Sequence, residues 1–390
     1  MVKKRYLAIT AVIGVAITYL LICGFSFIKT GFGLFDSHEN EYGKFVRVGD
    51  MHYARSGHKA VLLQDGRVLI VGGASEPVAE IYDPEKRKFY KTGSMIIDRD
   101  YYDNYTATLL SNGKVLITGG SKRNKSLKNT ELFNPKTGNF EKGPELNLPR
   151  AYHTANKLPD GKVLISGGFY KEKITQAELY DPKINEFKLI GEMIYPRSQH
   201  SAILTSKGVF FIGGYTNSSI IEKLNKNINS EIFDIDNKKF IDIDKYEKYQ
   251  RIKPNLIKLN NKVLISDGII NQSKRGIVEI YDPISNKIFK MEEIRQFVGD
   301  GHSASLLKDG RVLFLGGAKM GLMMKSLDNS ALYDPLRGKF YKGEKMIFSR
   351  SNHKTMVLKN GNVLITGGIT NGWSNRKATD KAEMYILNKE

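Results

Sequence analysis

A pattern of apolar and polar positions recurs about every 50 residues along most of the chain. A copy begins with a partly apolar stretch, passes through Asp-Gly or Asn-Gly in five of the seven cases, and continues into a largely apolar run that ends at a glycine pair. The pattern predicts two strands, the second buried on both faces, joined by a tight two-residue hairpin. The glycine pairs are Gly72-Gly73, Gly119-Gly120, Gly167-Gly168, Gly213-Gly214, Gly316-Gly317 and Gly367-Gly368, and a degenerate copy ends at Asp267-Gly268.

Each copy is long enough for four short strands. In the first copy we expect strands at His58–Leu63, Arg67–Val71, Ala79–Tyr82 and Phe89–Lys91. In five copies the turn between the third and fourth strands begins with Asp-Pro or Asn-Pro. Such a pair favours a turn, because the side chain bonds the backbone ahead and proline fixes φ. Seven such units predict an all-β, seven-bladed propeller.

The two ends of the chain indicate how the ring closes. The last copy stops after its third strand, Glu383–Ile386, whereas residues 44–51 resemble the fourth strand of the first copy. We therefore expect the N-terminal strand to complete the seventh blade, which removes the exposed edges that an open array would leave.

The glycine pair followed by two aromatic residues resembles the kelch repeat, and the resemblance covers residues 44–387. It implies the propeller fold firmly and a function weakly. Galactose-oxidase-like enzymes resemble this fold, but their copper site uses a cysteine cross-linked to tyrosine, and the only cysteine here is Cys23. The aromatic pairs are Tyr82 and Phe89, Tyr180 and Phe187, and Tyr333 and Phe340.

The N-terminal segment predicts a membrane attachment. Residues 1–6 form a positive flank, residues 7–28 carry no charge, and residues 29–43 form a spacer before the propeller at 44–390. A helix over 7–28 would rise about 33 Å, enough to cross a bilayer, with the N-terminus in the cytoplasm. The expectation is a single-pass signal anchor with the propeller on the extracytoplasmic side. A cleaved signal peptide and a lipid on Cys23 are the alternatives.

The chain is strongly basic, with a formal net charge of +19 and 26% charged residues. The basic residues are spread over all blades rather than gathered in a tract, and no base-reading module appears, so we expect no nucleic-acid partner. A cationic surface suits an anionic envelope polymer. The only cysteine precedes the propeller, so we expect no disulfide within it. Because a closed ring needs no partner to fold, we expect a monomer.

The loops between the second and third strands vary in length and sequence, and together with the connections between blades they form one face. Such variation is typical of a binding face. An arginine three residues before a recurring histidine should lie there, and it could bind acidic groups or pair with a neighbouring blade. The candidate ligand-binding residues are Arg55, Arg150, Arg197, Arg350, Tyr170, Tyr215 and Trp373.

Five histidines occupy the same position in their repeats, at the start of the innermost strand. Ligation of one metal ion needs several atoms about 2 Å from it, and equivalent side chains around a wide channel do not converge. We expect structural hydrogen bonds from these histidines, and neither a metal nor a cofactor. They are His58, His153, His200, His302 and His353.

Two functions remain open. The favoured one is a binding module for an extracellular protein or glycan, which needs no catalytic residues. The alternative is a kelch-fold sugar-modifying enzyme, such as a sialic-acid epimerase-like isomerase. Asp267, Asp300 and His302 would then have to converge in one pocket.

Overall fold

The computed structural model describes residues 43–100, 103–215, 230–243, 251–268, 276–319, 325–370 and 377–388. They form seven four-stranded antiparallel sheets, numbered here as blades I to VII, and contain no helix. No helix in these ranges could therefore cross a membrane. The predicted span at 7–28 and Trp373 lie outside the described residues.

Each blade runs from its innermost to its outermost strand in chain order, except that the first strand of the chain, β1 (Gly43–Arg47), belongs to blade VII. Blade I contains β2 (Lys59–Leu62), β3 (Val68–Val71), β4 (Ala79–Asp83) and β5 (Lys88–Lys91). Blade II contains β6 (Thr106–Leu109), β7 (Val115–Thr118), β10 (Thr130–Asn134) and β11 (Asn139–Lys142), with a hairpin of β8 (Ser121–Lys122) and β9 (Lys125–Ser126). Blade III contains β12 (Thr154–Lys157), β13 (Val163–Ser166), β16 (Gln176–Asp181) and β17 (Glu186–Glu192), with a hairpin of β14 (Phe169–Tyr170) and β15 (Glu172–Lys173).

The remaining blades follow the same plan. Blade IV contains β18 (Ser201–Thr205), β19 (Gly208–Ile212), β20 (Glu231–Asp234) and β21 (Lys239–Asp242). Blade V contains β22 (Asn255–Leu259), β23 (Lys262–Ser266), β24 (Ile277–Asp282) and β25 (Lys287–Glu293). Blade VI contains β26 (Ser303–Leu306), β27 (Val312–Leu315), β30 (Ser330–Asp334) and β31 (Lys339–Lys342), with a hairpin of β28 (Ala318–Lys319) and β29 (Lys325–Ser326). Blade VII contains β32 (Lys354–Val357), β33 (Val363–Thr366), β36 (Ala382–Leu387) and β1, with a hairpin of β34 (Ile369–Thr370) and β35 (Lys377–Ala378).

The ring closes as the sequence predicts. β1 pairs antiparallel with β36, from Gly43 opposite Leu387 to Arg47 opposite Glu383. The innermost strands also contact one another in a complete circuit, from β2 through β6, β12, β18, β22, β26 and β32 back to β2. Blade VII therefore joins the two ends of the described chain.

The core lies between neighbouring blades. The second strand of blade I, Val68–Val71, is buried along its whole length, which agrees with its continuous apolar sequence. Its side chains point alternately to the two faces of the sheet: Leu69 and Val71 pack toward blade II, while Val68 and Ile70 pack toward blade VII. Burial on both faces of a strand fixes its register, since a slip by one residue would exchange the two sets.

The turns at the Asp-Gly and Asn-Gly pairs differ from the predicted two-residue hairpins, whereas blades IV and V have two-residue loops at this place. In blade I, the N–H of Gly66 donates to the carbonyl of Leu63 at 3.0 Å, and Gly66 has a φ of 96°. Asp65 has no positive φ. The loop is therefore a three-residue one, a turn followed by a left-handed glycine, which needs only one residue with positive φ.

The two faces of the propeller differ. We call the face with the inter-blade connections and the second-to-third loops the loop face, and the opposite one the turn face. Since Gly43 pairs with the last residue of β36, the described chain begins at the turn face. The hairpins of blades II, III, VI and VII extend from the loop face.

Candidate functional site at the loop face

The four predicted arginines lie inside the blades, not on the loop face. Their side chains are fully buried, and each pairs with a glutamate of the third strand of its own blade. Of the two roles left open by the sequence, the structure favours ion pairing over an acidic ligand, because each guanidinium is already bound to a buried carboxylate. The partner lies in the same blade, however, and not in a neighbouring one. The pairs are Arg55 with Glu80 at 2.9 Å, Arg150 with Glu178 at 2.6 Å, Arg197 with Glu231 at 3.0 Å, and Arg350 with Glu383 at 3.0 Å.

Two further buried arginine–glutamate ion pairs were not predicted from the sequence. Arg251 pairs with Glu279 at 2.8 Å, and Arg99, although it lies elsewhere in its repeat, pairs with Glu131. Each arginine also donates to the carbonyl at the end of the second strand, as Arg150 does to Gly167 at 2.8 Å. The guanidinium thus joins the second strand to the third, which is a structural role.

Blade VI is the exception among the seven. Gly299 stands at the arginine position and Ala331 at the glutamate position, so both partners are missing together. The N–H of Gly299 instead donates to the carbonyl of Gly316 at 3.0 Å, the group that an arginine contacts in the other blades. The main chain of blade VI therefore occupies the place of the guanidinium.

The recurring histidines have the structural hydrogen bonds that the sequence predicts. In each case Nε2 lies close to a hydroxyl of the preceding blade. Within the described ranges no three His, Cys, Asp or Glu residues are grouped to hold a metal ion. The contacts are His58 to Thr366 at 2.8 Å, His153 to Thr118 at 3.0 Å, His200 to Thr154 at 2.9 Å, His302 to Ser266 at 3.1 Å, and His353 to Ser303 at 2.8 Å.

Three lysines meet one aspartate where the central channel opens on the loop face. The ammonium groups of Lys59, Lys253 and Lys354 come from blades I, V and VII, and all three lie near the carboxylate of Asp103. The distances to Asp103 Oδ2 are 3.1 Å from Lys354 and 3.6 Å from Lys253, and Lys59 contacts Oδ1. We call these four residues the channel-mouth cluster.

The electrostatics of this cluster are unbalanced. Burial lowers the pKa of Lys59 to about 8, despite the attraction of Asp103, and the other two lysines lower it further. Burial also lowers the pKa of Lys253. Burial alone would raise the pKa of Asp103, but the three lysines hold it well below its usual range. Three cations therefore share one carboxylate.

An aromatic patch lies farther out on the same face, in blades III and IV. Phe169, Tyr170 and Tyr215 expose 39%, 37% and 38% of their surface. Lys171 Nζ lies 5.5 Å from the ring centre of Tyr170, and Lys173 Nζ lies 6.0 Å from that of Tyr215. Two of the predicted ligand-binding residues, Tyr170 and Tyr215, thus stand on the loop face with a cation beside each ring.

A cleft of about 570 Å³ lies between blades V and VI. It is lined by Asp267, Asp300 and His302, the three residues considered as an acid–base set, together with Glu293 and others. Asp267 takes a φ of 67° where the other repeats have glycine. Its carboxylate accepts the N–H of Gly301 at 3.1 Å and lies 4.0 Å from His302 Nδ1.

Residues 104–147 match the kelch motif family. These residues span one repeat, blade II, and the same four-stranded unit is repeated around the ring. The chain is a seven-bladed β-propeller with a kelch motif in blade II. Among curated proteins, no relative matches the chain.

A solved structure shares the fold of this propeller. It is a fungal alcohol oxidase of the AA5 family, in complex with copper, with a TM-score of 0.61 and 13% identity over 89% of this chain and 76% of that chain. At this level of sequence identity, the similarity shows the fold alone.

Proposed function

We propose that this kelch propeller is a binding module, held outside the cytoplasm by its N-terminal segment, whose loop face binds an anionic envelope polymer. The observation that carries the proposal is the aromatic patch, with three partly exposed rings and two lysines on one surface. Aromatic rings provide flat apolar platforms with a polar edge, and lysines pair with acidic groups. A polymer of acidic sugars offers both surfaces to such a patch.

The position of the first strand supports this arrangement. Because the described chain begins at the turn face, a membrane segment at 7–28 would draw that face toward the bilayer and leave the loop face free. Apolar side chains at the tips of three turns on that face suit contact with lipid. Ile184, Ile284 and Leu336 expose 63%, 71% and 94% of their surface.

The test is the affinity of the full chain for an acidic polysaccharide and for neutral dextran of similar length. We expect binding to the acidic polymer only. The Tyr170→Ala/Tyr215→Ala double variant should bind at least about tenfold more weakly, since each lost ring contact is worth of the order of 1 kcal/mol. Tyr90→Ala is a matched control, because Tyr90 is 43% exposed and has Lys86 Nζ 5.6 Å from its ring centre, but lies on the outermost strand of blade I.

The outcomes separate the alternatives. Equal loss of affinity in the Tyr90→Ala control and the double variant would show that the aromatic patch is not the site. Binding that survives in the double variant would show a purely ionic attraction to the +19 chain. The partner is a protein if no polysaccharide binds, an envelope protein binds the parent chain, and the double variant no longer binds that protein.

The cleft between blades V and VI favours a second candidate, a sugar-modifying enzyme such as a sialic-acid epimerase-like isomerase. Its specific support is the convergence of Asp267, Asp300 and His302 on one cavity. Interconversion of sugar anomers followed by NMR would test it, and Asp267→Asn and Asp300→Asn should slow the reaction. Identical rates with and without the protein would exclude this activity for the sugar used.

A further inference from the structure

The channel-mouth cluster has more positive charge than its own carboxylate can neutralise. Lys59, Lys253 and Lys354 face Asp103, and within the described part of the chain no other carboxylate forms an ion pair with them. One carboxylate against three ammonium groups leaves two positive charges in a confined place.

Among the described residues, the groups around the cluster do not supply the missing negative charge. Lys59 Nζ lies 5.4 Å from the ring centre of Tyr105, and Lys253 Nζ lies 5.3 Å from that of Tyr152. These rings attract cations only weakly through their faces. The nearby His58 is buried and stays neutral at pH 7, since burial holds its pKa well below the usual value.

The cluster is also open to a ligand. The side chains of Lys59, Lys253 and Lys354 expose 22%, 35% and 32% of their surface, and that of Asp103 exposes 26%. Lys59 and Lys354 are the first residues of their innermost strands, β2 and β32, so the opening is toward the loop face.

We propose that the channel-mouth cluster binds a phosphate group, with the three lysines as ligands and Asp103 as the internal competitor that holds them in place. The excess of two positive charges matches a phosphate monoester or inorganic phosphate, which carries about −1.5 to −2 at pH 7. Ammonium groups on flexible stems bind phosphate as rotatable point charges. This site shares no residue with the aromatic patch and does not rest on the proposed function.

The experiment is calorimetric titration of the full chain at pH 7 with inorganic phosphate, sulfate and acetate, at one ionic strength set with NaCl. We expect phosphate and sulfate to bind more tightly than acetate, because the excess charge of the cluster favours a dianion. Lys354→Gln should weaken binding by about tenfold or more, as expected for a lost charge-assisted contact. Asp103→Asn should strengthen it severalfold, because the competing carboxylate is removed. Lys345→Gln is the control, since Lys345 is 70% exposed and pairs with Asp328 elsewhere.

The opposite signs of the two variants keep the proposal falsifiable. If the lysines only serve to bind Asp103, the parent protein and Lys354→Gln will bind phosphate equally weakly. An unchanged phosphate affinity in Asp103→Asn would also overturn the proposal, even if Lys354→Gln failed to fold. Phosphate binding no tighter than that of acetate would also overturn it. A hexose 6-phosphate that binds more tightly than inorganic phosphate would identify the ligand as a phosphorylated molecule, and equal affinity would identify free phosphate.

Discussion

The buried arginine–glutamate pairs make a sharp prediction in blade III. Glu178→Gln keeps the size of the side chain but removes its charge. In the folded protein, Glu178 accepts the N–H groups of Asn147 at 2.7 Å and Leu148 at 3.2 Å, besides Arg150 Nη2 at 2.6 Å. Both members of the ion pair are fully buried. The substitution leaves the Arg150 guanidinium without its counter-charge inside the blade.

The expected loss of stability is large. Breaking a buried ion pair by removing one partner costs about 3–5 kcal/mol. With an unfolding entropy near 2 cal/mol/K per residue, a chain of this size should lose about 4–7 °C in Tm. The Arg150→Met/Glu178→Leu double variant should lose less than Glu178→Gln, because apolar replacements of both partners leave no buried charge. Thermal unfolding followed by circular dichroism measures all three proteins.

Glu186→Gln is the matched control for this experiment, since Glu186 is an exposed carboxylate of the same blade. Its Tm should stay within about 1 °C of the parent, as is usual for exposed positions. A Glu178→Gln variant with an equally small change would refute the structural role of the pairs. So would a double variant that loses as much as Glu178→Gln, because the cost would then not come from an uncompensated charge.

Two further predictions concern the histidines and the glycines. Burial holds the pKa of His58, His153, His200 and His353 well below the unfolded value. The unfolded chain therefore binds more protons than the folded chain below about pH 6.5, and the stability decreases as the pH is lowered. Each histidine should contribute about 1.4 kcal/mol of the loss between pH 7.5 and 5.5, measured as a drop in Tm that His200→Gln reduces by about a quarter. An unchanged Tm would contradict this. Gly119→Ala should destabilise far more than Gly310→Ala, both measured by Tm, because its Cβ would lie 2.3 Å from the Arg150 carbonyl whereas that of Gly310 meets nothing within 4 Å. Equal decreases in Tm for the two glycine variants would show that the positive φ, and not the steric clash, determines the loss of stability.

Much of the fold could be predicted because each blade repeats the same local signals. The apolar run of a second strand and the Asp-Pro of a later turn are short-range features, and they fix the strands without reference to the rest of the chain. The closing strand could be predicted because the last copy lacks what the first residues supply. The side-chain direction of Arg150 could not, since position in a repeat does not say whether a side chain points into the blade or out of it.

A signal for the buried pairs was nevertheless present in the sequence. A glutamate such as Glu178 stands in the third strand of every copy that has a buried arginine, and both are absent from the sixth copy, at Gly299 and Ala331. The channel-mouth cluster gave no comparable signal. Lys59 and Lys354 are separated by nearly the whole propeller, and only ring closure brings them together.

In blade VI, a main-chain hydrogen bond takes the place of the arginine–glutamate ion pair, and this leads to a final prediction. With Gly299 and Ala331 changed to arginine and glutamate, a simple repeat argument would expect a seventh ion pair and greater stability. The structure instead predicts a loss of stability, because a Cβ at position 299 would lie 2.4 Å from the carbonyl oxygen of Ala318. The main chain already donates from Gly299 to Gly316 in place of a guanidinium.

The Gly299→Arg/Ala331→Glu variant should therefore melt at a lower temperature than the parent. Ala331→Glu alone should also destabilise, since it buries a carboxylate with no partner. A higher Tm for the double variant would show that the backbone of blade VI can return to the path of the other blades. The cleft beside Asp267 would then result only from the presence of Gly299 and Ala331 in place of arginine and glutamate. A lower Tm supports the view that the close approach of Gly299 to Ala318 is built into blade VI, and that the cleft is a stable part of the propeller available for a ligand.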